Sequence, residues 1–212
     1  LFRSKSGLVR LKIELSYDGR NFAGWAKQPD QRTLQGVLEG TLTKIIGVEA
    51  ETVVAGRTDA GVHALQNYFH FDEASEFENI LKEKDAVYHI NAILPGDIVL
   101  KSLKRVGDEA HCRFDAVSRE YDYMLYGSKD PFRLGRGWQY PFPLKLELMQ
   151  EAAQMVVGQH DFRGFCKRGV QVKDFVCKVE ESEWVRGDDQ LNYRIRGNRF
   201  LRGMVRSLVG GM

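Results

Sequence analysis

The 212-residue chain lacks most of the marks of specialised protein classes. It has three cysteines, Cys112, Cys166 and Cys177, and no CxxC pair. That count argues against a disulfide framework and a zinc site, and reads as reduced thiols in a cytosolic protein. Five scattered histidines show no HExxH or HxH spacing, so the pattern calls for no metal. No apolar run approaches the ~20 residues that cross a bilayer. The first ten residues, LFRSKSGLVR, contain no apolar signal-peptide core. The phosphate-cradling GxxxxGK[ST] is absent, and no Pro/Ser-rich linker divides the chain. What is present is ordinary for a soluble globular protein: 43% hydrophobic, 28% charged and 11% aromatic residues. The length suits one large domain or two small ones at ~100–150 residues each. The sequence begins at Leu1 rather than methionine and stops at LVGGM, so it reads as a piece of a longer protein.

Net charge is only +2, but it is unevenly spread. Residues 72–85 carry six acids against two lysines, 163–173 carry four bases, and 186–206 carry six arginines against two aspartates. Basic stretches lining one face would attract phosphates, whereas a mixed-sign surface would not.

Hydrophobic periodicity supplies the architecture. Val9, Leu11, Ile13, Leu15 and Tyr17 alternate with polar residues, which predicts a half-buried strand closed by the Asp18-Gly19 turn. Leu34, Val37, Leu38, Leu42, Ile45 and Ile46 predict a helix with Thr33 as N-cap and Gly47 as its stop. Strands are expected at 51–55, 67–71 and 98–106, and a helix at 76–89 with Ile80, Leu81, Val87 and Tyr88 on its apolar side. This β-α-β-β-α-β order is the ferredoxin-like pattern. The second half reads similarly: a strand at 119–126, a helix from Leu146 to Val157, a hairpin of 179–186 with 190–196, and a helix over Phe200–Val209. It lacks a final strand, so a missing C-terminal end is expected. The reading is therefore α+β, with two ferredoxin-like halves, 1–107 and 108–212, that share or pack an antiparallel sheet around a cleft.

The chemistry-bearing candidate is the loop Ala55-Gly56-Arg57-Thr58-Asp59-Ala60-Gly61-Val62-His63-Ala64. Its glycines allow tight turns and close approach. Asp59 suits a nucleophile or base that Arg57 holds ionised, or simply a turn aspartate paired to an arginine. His63 is a structural residue or an acid–base group.

AGRTDAGVHA resembles the signature loop of the tRNA pseudouridine synthase A family. The resemblance runs along almost the whole chain. Ser16-Tyr17-Asp18-Gly19 with Asn21-Phe22-Ala23-Gly24-Trp25 resembles its YDG–FxGW opening. Thr33 to Glu39 is similar to its TVQGxLE helix, and Asn91 to Ile98 to its NxxLPxDI turn. Phe114 to Tyr123 resembles FxAxxRxYxY. Gly158 to Cys166 resembles GxHDFxxFC, and Phe200 to Gly210 resembles FLxxMVRxxVG. Members continue past the present C-terminus.

The resemblance implies isomerisation of uridine to pseudouridine at positions 38–40 of the tRNA anticodon arm, without metal or cofactor, by a cytoplasmic homodimer that does not engage membranes. It implies that Asp59 is the nucleophile and that Arg206 pairs with it. Arg57 helps flip the base and fill its place, and Tyr121 stacks on the extruded base. Local charge alone adds Lys167, Arg168 and Arg202 as tRNA contacts, which should make binding salt-dependent. The alternative is a non-catalytic RNA-binding module. An RRM would carry an RNP1-like aromatic run, of which Tyr121-Asp122-Tyr123 is a faint echo. An aspartyl phosphotransferase would want a phosphate cradle, and an inactive family member would need no intact Arg57, Asp59, Tyr121 and Arg206.

Overall fold

The computed structural model describes residues 8–74, 83–169 and 172–212. The chain forms two compact units, Leu1–Ala116 and Val117–Met212, each with its own sheet. The fold is α+β, as the pattern predicts.

In the first unit β1 (Leu8–Tyr17) pairs antiparallel with both β3 (Ala64–Ala74) and β4 (Ile98–Val106). The short β2 (Val53–Val54) adds to β3, giving the order β2-β3-β1-β4. That is the ferredoxin-like order expected from a β-α-β-β-α-β chain. Alternation decides the faces: Val9, Leu11, Ile13, Leu15 and Tyr17 are buried with Phe69 and Phe71. Against this face lies α1 (Leu34–Ile46), which buries Leu34, Leu38, Leu42 and Ile46 at intervals of four. Thr33 caps it by accepting the Gly36 N–H, and Gly47 ends it in the left-handed region at φ 75°.

The second helix, α2 (Glu83–Ile93), runs beyond the expected end at 89, and its expected start lies outside the described residues. Its apolar side is Ala86 and Ile90, flanked by Val87. Tyr88 was expected there but is 73% exposed, because positions 86 and 90 already fill the stripe facing the sheet.

The stretch 107–116 stays with this first unit because the sheet's polar face fastens it. Arg10 Nη1 donates to the carbonyls of Asp108 (2.7 Å) and Ala110 (2.8 Å). The Cys112 N–H donates to Nδ1 of the buried His70, whose ring meets that of His111 edge-on at 5.0 Å. Burial and the neighbouring Arg10 hold the His70 imidazole below its ordinary pKa, so it remains the neutral acceptor this contact needs.

The second unit is a five-stranded sheet ordered β6-β5-β9-β8-β7. Its middle is the expected antiparallel set: β5 (Arg119–Tyr126), β9 (Gln190–Gly197) and β8 (Val176–Arg186). Two unforeseen short strands extend it. Strand β6 (Trp138–Gln139) pairs parallel to the end of β5, and β7 (Gly158–Asp161) pairs with β8. Helix α3 (Leu146–Val156) buries Met149, Ala153 and Val156 against Trp184, Tyr193 and Ile195. Helix α4 (Met204–Gly211) begins four residues later than the apolar spacing suggests. Gly203 at φ 75° precedes it, so Phe200 and Leu201 pack as chain outside the helix. No helix among the described residues is long and apolar enough to cross a membrane.

Candidate active site

The Asp59 loop joins β2 to β3 and is held on both sides by the segment that follows β1. The Trp25 N–H donates to Thr58 O (3.0 Å), and the Gly61 N–H donates to Phe22 O (3.3 Å). Between these anchors the chain turns: the Val62 N–H reaches Asp59 O (3.2 Å), with Gly61 at φ 76° in a position that favours glycine. Asp59 is therefore the first residue of a closed turn, and it is half-buried.

Two glycines of the opening motif make room for that loop. A Cβ at Gly24, itself at φ 100°, would sit 3.0 Å from Thr58 O and 3.2 Å from the Ala60 nitrogen. A Cβ at Gly19 would sit 2.0 Å from Val62 O. Both positions require glycine because the loop backbone passes at contact distance. Sequence reading missed these roles, although Asp18-Gly19 stood out as a turn.

Beneath the loop is a polar cluster. Asn67 Nδ2 donates to Gly56 O (3.0 Å) and to Tyr17 Oη (3.3 Å), and Tyr17 Oη lies 2.9 Å from Thr58 Oγ1. His63 closes the far end: its Nδ1 is 3.2 Å from the Gly19 nitrogen and 3.1 Å from Asp18 Oδ1. A neutral ring accepts from Gly19 there, and a protonated one donates to Asp18. The side chain and backbone N–H of Arg20, with His63, hold the Asp18 carboxyl below the usual carboxylate range.

Arg57 is exposed, and among the described residues no ion pair joins it to Asp59.

The remaining candidates belong to the second unit. Tyr121 lies on β5 opposite Ile195, half-buried, its ring edge-on to Phe200 at 5.3 Å. Lys167 and Arg202 are brought together, since the Lys167 N–H donates to Arg202 O (2.8 Å). Gly203 then starts α4, which carries Arg206. Lys167, Arg168, Arg202 and Arg206 are all exposed.

The arginine run at 186–206 does not form one basic face. Arg194 and Arg196 sit mid-sheet on β9, each between acids of both neighbouring strands. Asp122 and Glu183 flank Arg194, and Glu120 and Glu181 flank Arg196. Arg196 Nη1 donates to Glu180 at 2.7 Å, and Arg194 Nε to Asp122 at 3.2 Å. Arg199 pairs with Asp174 at 3.6 Å. Arg186 lines a cavity of about 330 Å³ with Tyr126, Tyr140, Phe142, Asp188 and Asp189, and none of the candidate residues reaches that cavity.

Comparison with known proteins places these features in a class. Residues 152–212 match the family described as tRNA pseudouridine synthase. The tRNA pseudouridine synthase A of Bacillus licheniformis is 40% identical over 206 residues, covering 95% of this chain and 82% of that protein. That of Staphylococcus aureus is 38% identical over 203 residues, covering 95% and 75%. That of Azobacteroides pseudotrichonymphae is 40% identical over 205 residues, covering 96% and 80%. With an α+β fold in two ferredoxin-like units, these matches define an isomerase of the pseudouridine synthase class. The chain belongs to the tRNA pseudouridine synthase A family.

Proposed function

We propose that the chain isomerises uridine to pseudouridine at positions 38–40 of the tRNA anticodon arm, with Asp59 as nucleophile. The observation that carries this reading is the Asp59 turn, gripped on both sides within a family whose members are named for the reaction. The bond from C1′ to N1 breaks, the uracil turns, and C5 joins C1′. N1 gains a proton and C5 loses one, so the reaction needs no redox partner and, in this reading, no metal or cofactor.

Each remaining residue has a role that its chemistry suits. Exposed Arg57 fills the stem position left by the flipped base, offsetting part of an unstacking cost of a few kcal/mol. Tyr121 stacks on the uracil and offers its hydroxyl for proton transfer from C5. Arg206 supplies the positive charge that a carboxylate nucleophile calls for. Lys167, Arg168 and Arg202 contact tRNA phosphates. The first unit supplies the nucleophile, and the second supplies the stacking and cationic groups. The enzyme acts in the cytoplasm as a homodimer.

The test is tritium release from tRNA labelled at uridine C5, comparing the parent with Asp59→Asn. Release by the parent and none by the variant is expected. Equal release removes Asp59 from the mechanism. No release from either, with salt-sensitive tRNA binding intact, gives the non-catalytic RNA-binding reading. Mapping pseudouridine along the product reads the positions directly.

A further inference from the structure

We infer that Tyr17 and Asn67 are positioning residues of the isomerase, acting as a hydrogen-bond relay that sets the backbone of the Asp59 turn. The inference rests on the proposal that Asp59 is the nucleophile. It starts from a break in the sheet: the β1–β3 register runs Leu15 opposite Asn67, then Tyr17 opposite Ala64. One extra residue of β3 is therefore bulged out, a device that re-aims side chains where strands meet a working loop. Asn67 sits at the edge of that bulge.

The amide's direction is fixed. Asn67 Oδ1 accepts the Tyr68 N–H at 2.9 Å, which leaves both Nδ2 protons for Gly56 O and Tyr17 Oη. Tyr17 Oη accepts from Asn67 and lies 2.9 Å from Thr58 Oγ1, a hydroxyl pair in which either oxygen can donate. The relay thus links Asn67 to Tyr17 to Thr58, and it ends on the residue next to Asp59. Its middle is rigid, because the Tyr17 ring is 5% exposed and packs against Trp25 at 6.2 Å. Trp25 in turn donates its backbone N–H to Thr58 O. Gly56 and Thr58 are thereby held by side chains rooted in the sheet, three residues and one residue before Asp59. In such a site a 1 Å error costs on the order of 10²-fold in rate.

The experiment measures single-turnover tritium release at saturating tRNA, the tRNA Kd and the thermal midpoint for Tyr17→Phe, Asn67→Leu and their double variant. Thr58→Val, which removes the relay's last hydroxyl without changing shape, replaces Asn67→Leu if that protein does not fold. Leu103→Ala, in the core of the same unit, is the stability control. Each relay variant is expected to lose about 10–100-fold in single-turnover rate with Kd within twofold of the parent. The double variant should lose no more than the worse single, as coupled groups do. The control should lose stability and keep its rate. Rates within threefold of the parent, a loss that appears in Kd, or an equal rate loss in Leu103→Ala overturns the positioning role. Asp59→Asn run alongside separates the two ideas: if it turns over like the parent, the nucleophile reading fails; if it is dead while the relay variants are unimpaired, only this inference fails.

Discussion

One added methyl group at position 19 tests the scaffold of the Asp59 turn. Gly19→Ala would place its Cβ 2.0 Å from Val62 O and 2.5 Å from Val62 C, both backbone atoms that cannot rotate away. Restoring ordinary contact needs a shift of about 1.4 Å in the loop or in the 18–22 turn. The loop is the side expected to move, because Asp18 is anchored by the bond from its N–H to Asp97 O at 2.9 Å. A displacement of that size at a nucleophile costs about 10²-fold in turnover, or about 2.7 kcal/mol of barrier. Overpacking should also lower stability by about 1–3 kcal/mol. The control is the same chemical change at Gly40, which is exposed in α1 and where an added Cβ would meet nothing within 4 Å. Gly40→Ala should stabilise the protein by up to about 1 kcal/mol and leave turnover alone. The assay is tritium release at a temperature where both variants are folded, with tRNA affinity measured beside it. A Gly19→Ala protein that turns over within threefold of the parent would refute the argument that the loop depends on that close approach.

Other expectations follow from the buried polar groups. Glu39 is 4% exposed and receives Thr52 N–H, Thr52 Oγ1, Gln35 Nε2 and the Lys27 ammonium. Burial opposes its ionisation, but the Lys27 ammonium and the Gln35 and Thr52 donors outweigh it and hold the carboxyl below the ordinary glutamate value. Its contribution is thus present above about pH 4.3 and is lost as pH falls through the folded value. Glu39→Ala should cost about 3 kcal/mol in urea unfolding at pH 7, and Glu39→Gln should flatten the acid limb. His70 has a depressed pKa, so it too contributes stability above about pH 6.5 that is lost as pH falls below it. His70→Asn should remove part of the stability slope below about pH 6.5, and an unchanged slope would exclude His70 as its source. Lys167→Ala with Arg202→Ala should reduce the slope of log Kd for tRNA against log salt by about 1–2, while Arg194→Ala leaves it unchanged. A slope that responds to Arg194 instead would put the RNA on the other side of that sheet.

The parts of the fold legible in the sequence are those that local rules decide. Alternation from Val9 to Tyr17 found β1, and the four-residue spacing with Thr33 and Gly47 found α1 with both ends. What escaped depends on distant partners. Strand β6 is two residues long and exists because the end of β5 offers it an edge. Tyr88 fits the helical period, yet Ala86 and Ile90 already occupy the face that meets the sheet. The attachment of 107–116 depends on Arg10, about a hundred residues away in sequence. At the site, the ten-residue loop named Asp59 and Arg57, and the opening motif held Tyr17, Gly19 and Gly24, but their contact with the loop was not legible. Gly19, Gly24, Tyr17 and Asn67 matter through what they touch, and a lone sequence records no contacts.

The two acid–arginine–acid rows across β5, β9 and β8 set a limit on how RNA can be held. Five carboxylates, from Glu120, Asp122, Glu180, Glu181 and Glu183, surround two guanidinium groups, so this patch carries net negative charge. A phosphodiester backbone approaching it meets repulsion rather than attraction. The patch thus works as an electrostatic fence, discouraging nucleic acid from one side of a sheet while exposed cations stand elsewhere on the same unit. Salt screens repulsion as well as attraction, so raising ionic strength should cost the enzyme discrimination between productive and misplaced tRNA as well as affinity.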